Sequence, residues 1–203
     1  MIHLILTYDD AIRLQNETAK KVISQDDFSE INAICGVDVA YMGDVAYCSA
    51  VVMDKNSQLV ESVDAETVAK HSYVPGLLML REAEPIFHTL KMLKSSYDLL
   101  LVDGHGILHP RKCGLACYIG VNLDKPTIGI AKSLLCGTIK PGGFIEMGGE
   151  ILGYAASSKM YISVGHKISL KTAIAIVEEL GTEPLRKADI NSKAQKMGKE
   201  LRT

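Results

Sequence analysis

Asp38 and Asp103 are the two acids in this chain whose surroundings fit ordinary surface charge least well. Asp38 lies midway along Ile34-Cys35-Gly36-Val37-Asp38-Val39-Ala40, where strand alternation sets it on one face with Gly36 and Ala40. A carboxylate on a central strand is costly unless positive charge meets it, although a half-solvated sheet face would hold one equally well. Asp103 closes the apolar run Leu99-Leu100-Leu101-Val102 and precedes Gly104-His105-Gly106. Ligands of open α/β sheets collect beyond the carboxyl ends of strands, where glycine lets backbone approach them. On neighbouring strands, about 4.8 Å apart, the two carboxylates can share a divalent cation that resolves their mutual repulsion. Oxygen donors of this kind suit Mg2+, with Mn2+ as a substitute, whereas zinc would prefer His or Cys.

Other residues could join them. Glu82, in Leu80-Arg81-Glu82-Ala83-Glu84, can point at the same metal from a preceding helix, but an amphipathic helix usually solvates its Glu, and Glu84 competes. His105 and His109 have the i, i+4 spacing of a zinc pair, yet Gly106 and Pro110 disfavour a helix and no Glu follows His105. A His on a Gly-rich loop beside a carboxylate is better suited to meeting phosphate or water. Lys132 follows a second buried run as Asp103 ends the first, so it can neutralise phosphate or transition-state charge, or simply snorkel. Tyr73-Val74-Pro75 is a stiff aromatic loop ahead of a helix, fit either to pack or to wedge against a base. Arg111-Lys112, with Lys140, Lys159, Lys167 and Lys171, would supply the basic surface a phosphate backbone requires.

The elements that must position these groups follow from hydrophobic period. Residues 11–23 have a helical pattern. Residues 31–41, 45–54 and 58–64 are strand-like and joined by short polar turns, which predicts an antiparallel meander. Residues 77–93 are helical, with Pro85 expected to kink the helix or start a second one. Residues 98–102, 113–123 and 127–131 read as strand, crossover helix and strand, a βαβ unit. A Gly-rich loop at 141–143, strands at 150–156 and 160–164, and a helix from an N-cap at Ser169 to Gly181 complete the pattern. Right-handed crossovers give one mixed sheet in the order 3-2-1-4-5 with helices on both faces, an α/β ribonuclease H-like arrangement.

The chain's 203 residues suit one domain spanning residues 1–203. No apolar run approaches the ~18–20 residues of a membrane span, and the apolar residues 1–6 lack the basic start of a secretory signal. A cytoplasmic protein that does not engage membrane is expected. The five cysteines are odd in number and without a Cys-x-x-Cys pair, as befits reduced thiols. The net charge of −2 hides an asymmetry. Residues 1–99 hold 15 acids and 8 bases, and residues 100–203 hold 9 and 14, so metal could sit in one half and phosphate in the other.

With these residues in view, the chain resembles the endonuclease V, or deoxyinosine 3′-endonuclease, family. The resemblance rests on Gly36-Val37-Asp38-Val39-Ala40-Tyr41, Tyr73-Val74-Pro75-Gly76 leading to Arg81-Glu82, Val102-Asp103-Gly104-His105-Gly106-Ile107 with His109-Pro110-Arg111, and Pro126-Thr127-Ile128-Gly129 with Ala131-Lys132. Gly165-His166 ahead of Ser169-Leu170 is a weaker match, and Ser72 stands where the wedge motif commonly begins with Pro. The resemblance implies a Mg2+-dependent nuclease that repairs deaminated adenine in DNA. It would cut the second phosphodiester bond 3′ to hypoxanthine and leave 3′-hydroxyl and 5′-phosphate ends. It also implies that Asp38, Glu82 and Asp103 bind metal, that His109 and Lys132 assist at the phosphate, and that Tyr73 is the wedge. Gly76, Leu78, Gly104 and Leu135 would line the pocket for the flipped base. Inosine-containing RNA is the alternative substrate, a non-catalytic binder of modified nucleic acid or a junction resolvase the alternative functions, and a monomer the expected state.

Overall fold

A computed structural model describes residues 7–200, so the apolar residues 1–6 lie outside the described part. Helix α1, Tyr8–Ala19, starts earlier than hydrophobic period suggests because Thr7 and Asp10 form a reciprocal capping box. The meander follows as β1 (Ala33–Met42), β2 (Val45–Asp54) and β3 (Leu59–Val68). The last runs beyond residue 64 because it pairs along the whole of β2. Helix α2, Leu78–Leu90, passes through Pro85 as one helix. Proline has no N–H for the Arg81 carbonyl, and the Tyr41 hydroxyl donates to that carbonyl instead, at 3.0 Å. The Arg81 guanidinium also stacks 4.2 Å from the Tyr41 ring centroid, so this turn of α2 is pinned to β1.

β4 (Leu99–Asp103), α3 (Leu115–Leu123) and β5 (Thr127–Ala131) form the expected parallel crossover. The predicted Gly-rich loop is the tip of a hairpin formed by β6 (Thr138–Ile139) and β7 (Phe144–Met147). β8 (Glu150–Ser157) and β9 (Met160–His166) continue the sheet, and α4, Leu170–Leu180, is capped by Ser169 as expected. The strand order is β3-β2-β1-β4-β5-β9-β8-β7-β6, so the five-strand order 3-2-1-4-5 holds and four further strands extend it. One apolar cluster joins β1 and β4 to α2 and α3, and another joins β4, β5 and β9 to α4 and Leu185. Among the described residues, no helix is long and apolar enough to cross a membrane.

The last helix, α5 (Glu183–Glu200), was not anticipated. It buries only Pro184, Leu185, Ala188 and Ser192 and is otherwise polar, so it lacks the apolar stripe that reveals a helix in sequence. Its docking depends on Gly36. A Cβ there would lie 2.2 Å from the Leu185 backbone nitrogen, so only a bare strand position admits the start of α5 onto β1.

Candidate active site

The β1–β4 register pairs Val37 with Val102, which sets the next residues, Asp38 and Asp103, side by side on parallel strands. Helix α5 lies over the same face and brings a third acid. Carboxylate oxygens of Asp38, Asp103 and Asp189 all lie within 4.8 Å of one another. Asp38 is 6% exposed, and its Oδ2 accepts the Ser192 hydroxyl at 2.5 Å. Burial pushes its pKa up to about 7; the Ser192 hydrogen bond opposes this, and the adjoining Asp103 carboxyl adds to it. Burial also acts to raise Asp189, but hydrogen bonds from Lys193 and Lys132 outweigh it and hold this carboxyl below its ordinary value.

Lys132 supplies the counter-charge. Its Nζ lies 2.6 Å from Asp103 Oδ2 and 2.9 Å from Asp189 Oδ1 while the side chain stays 62% exposed. Burial works against its charge, yet the two carboxylates more than compensate and raise its pKa. Glu82 lies outside the compact trio but within its field. Burial first, then the charges of Asp38 and Asp103, push its pKa up to about 8. Three oxygen donors without His or Cys form a donor set fitted to a hard divalent cation such as Mg2+ or Mn2+.

Beside the trio opens a cavity of about 290 Å³ whose lining includes Asp103 and Lys132 themselves. Tyr73, Gly76, Leu78, Gly104 and Leu135, singled out from the sequence, all line it, as do Gln15, His105 and His109. One side of its wall is held by a polar network centred on Gly76. The Gly76 carbonyl, in a turn with φ +77° that suits glycine, accepts from Gln15 Nε2 (3.0 Å), His109 Nε2 (3.1 Å) and Arg111 Nη2 (2.7 Å). Gln15, 1% exposed, also donates to the Cys113 carbonyl at 2.7 Å and accepts from Arg111 Nε at 2.6 Å. His109 Nδ1 accepts the Arg111 backbone N–H, which places the ring proton on Nε2, facing Gly76. Burial, then the Arg111 charge, pull the His109 pKa down to about 4, so the imidazole is neutral.

The other basic residues diverge. Lys112 pairs with Glu150, Lys140 with Glu146, and Lys167 with Asp27 and Asp124, whereas Lys159 pairs with no acid among the described residues. Sequence reasoning missed Asp189, Ser192 and Gln15. The last left a trace, a polar side chain on the apolar face that Ile12 and Ala19 define in α1.

The family model for endonuclease V matches residues 16–190. The chain belongs to the endonuclease V family. Endonuclease V of Thermofilum pendens is 42% identical over 205 residues, covering 93% of this chain and 88% of that protein. The crystal structure of endonuclease V from Streptomyces avermitilis superposes with a TM-score of 0.85 at 31% identity, covering 95% of both chains. Endonuclease V of Ciona intestinalis, solved in complex with a 24mer DNA containing an inosine followed by a ribo-adenosine, has a TM-score of 0.81 at 27% identity over 91% of this chain and 95% of that one. The chain therefore carries its acids, its lysine and its cavity on a framework that it shares with these solved structures.

Proposed function

We propose that this endonuclease binds DNA containing deoxyinosine, takes the hypoxanthine into the cavity beside Asp103, and hydrolyses the second phosphodiester bond on its 3′ side, a step in removing deaminated adenine. The observation that carries this reading is the junction of an acid trio and a base-sized cavity through one shared pair, Asp103 and Lys132. Asp38, Asp103 and Asp189 would hold Mg2+, with Mn2+ as a substitute and Glu82 close enough to assist. Bound there, the ion would polarise the phosphate and acidify the attacking water. Lys132 offsets the charge that develops on the pentavalent phosphorus. Tyr73, 61% exposed at the cavity's rim, fits a wedge that holds the stack open while the base is out. His109 and Arg111 act by holding Gly76, so that the wall is formed before the base arrives. A close-fitting wall of Gly76, Leu78 and Gly104 favours a purine without an exocyclic amine.

The deciding test is cleavage of matched single-stranded DNA and RNA oligonucleotides carrying one inosine, with Mg2+ and with a chelator. Cutting of the DNA at the second 3′ bond, abolished by chelation, is expected. Preference for the RNA would reassign the physiological substrate. Cutting of branched DNA without inosine would replace the reading with a junction resolvase, and binding without cutting would make the chain a non-catalytic reader of modified strands.

A further inference from the structure

A second cavity, of about 160 Å³, shares Asp103 and Lys132 with the first and adjoins the trio through Asp189 as well; the rest of its wall is Ile130, the β8–β9 turn at Lys159 and Met160, and the start of α5 at Thr182, Leu185 and Arg186. The first cavity is walled by α1, the Tyr73 loop and the start of α3. Because α3 packs with α2 on one apolar layer while α5 covers Gly36 and Asp38 on the other, the two hollows open on opposite sides of the Asp103–Lys132 pair. The second has little more than half the volume of the first, about 160 against about 290 Å³, which suits a phosphate passing through better than an inserted base.

Its cations are disposed for that. Lys159, like Lys171 but unlike Lys112, Lys140 and Lys167, has no acid partner among the described residues, and of the two it is Lys159 that lines this hollow. Arg186 gives Nε and Nη2 to Glu183, at 2.7 and 2.6 Å, which leaves Nη1 to donate to an anion. We infer that Lys159 and Arg186 grip the phosphate backbone of the strand on the 3′ side of the scissile bond, so that the substrate runs from the base cavity, across the acid trio, into this second hollow. The inference rests on the proposed function for its polarity. A cut two bonds 3′ of the flipped base puts the base on one side of the acids and obliges the downstream strand to leave on the other. Each lost phosphate contact should also lower the salt dependence of binding by about one counterion.

Two measurements test it. Steady-state cleavage is compared on inosine oligonucleotides that extend either one or six nucleotides beyond the scissile bond. Lys159→Ala/Arg186→Ala should raise KM about tenfold on the long substrate, leave kcat unchanged, and have no effect on the short one; equal loss on both substrates, or none on either, would overturn the assignment. Photo-cross-linking with 4-thiothymidine at single positions on each side of inosine, in chelator, does not depend on cutting. Adducts at residues 159–160 and 182–186 from 3′ positions alone support the path, and adducts there from 5′ positions, or from all positions alike, overturn it. Labelling that is the same with adenine in place of inosine would show that base recognition itself has failed, separately from the basic hollow.

Discussion

The base cavity and the acid trio meet at Asp103 and its partner Lys132 and are built on opposite principles. Around Gly76 the polar groups largely meet one another: Gln15, His109 and Arg111 Nε and Nη2 bond to each other and to backbone carbonyls, and the imidazole is neutral. Around Asp38 the charges do not balance, for Asp103, Asp189 and Glu82 surround a buried carboxyl that Lys132 and Ser192 only partly compensate. A satisfied network fixes shape before substrate arrives, whereas a frustrated cluster reserves its favourable energy for a cation and a phosphate. The recognition half is thus built for rigidity and the chemical half for charge.

The sharpest break is Asp103→Ala. It removes an acid from the trio and one of the two partners of Lys132, so several kcal/mol of transition-state stabilisation should go, about 10³-fold or more in single-turnover cleavage. The melting temperature should stay level or rise, since Asp38 loses a like-charged neighbour. A large fall in melting temperature would show that the trio is a structural device.

Arg111→Leu attacks the other region. It strands the Gln15 oxygen and removes one of three donors to Gly76, an unsatisfied-group penalty of about 1–3 kcal/mol. KM for inosine substrates should rise about thirtyfold while cleavage of bound substrate changes little, with a lower melting temperature, measured by the same kinetics and a thermal melt. An effect confined to kcat would place Arg111 at the phosphate and undo the contrast. Tyr73→Ala, at an exposed rim, should weaken binding about fivefold, near the lower end of base–aromatic stacking. It should leave the melting temperature unchanged, and identical affinity for inosine-containing and undamaged duplexes in parent and variant would dispose of the wedge.

The two regions also differed in how far the sequence disclosed them. Asp38 and Asp103 were legible because each interrupts or ends an apolar strand, and because right-handed crossovers lay the fourth strand beside the first. Tyr73 and Gly76 were legible through Pro75-Gly76, a pair that dictates a turn. Asp189 was not, because α5 packs along β1 and β2 mostly through small residues and shows no hydrophobic period. Gln15 was overlooked although it occupies a core position of α1, and a buried amide there is itself a sign that something polar must be met. The β6–β7 hairpin escaped because strands of two and four residues carry no readable alternation.

The smallest effect tests the frustration directly, through pH. In the folded chain Asp38 and Glu82 titrate near 7 and 8, above the usual carboxylate range of about 4. Through these two groups the folded state holds more protons than the unfolded one between about pH 4 and pH 8, so their contribution to stability falls as pH rises, being fully present below about pH 4 and lost on passing through 7 to 8. Asp189, His105, His109 and His166, whose pKa values are held down, act in the opposite sense, and that opposition is complete by about pH 6.5. Chelated protein should melt several degrees lower at pH 8.5 than at pH 6.5, since about 1 kcal/mol moves the transition of a domain this size by about 2–4 °C. Mg2+ should recover more of the loss at pH 8.5 than at pH 6.5, because an ion that takes the place of those protons binds best where they are already gone. Asp38→Asn should flatten the slope with chelator present, whereas a slope that is flat or rising in the parent protein would mean that the acids are solvated and that the contrast with the Gly76 network does not exist.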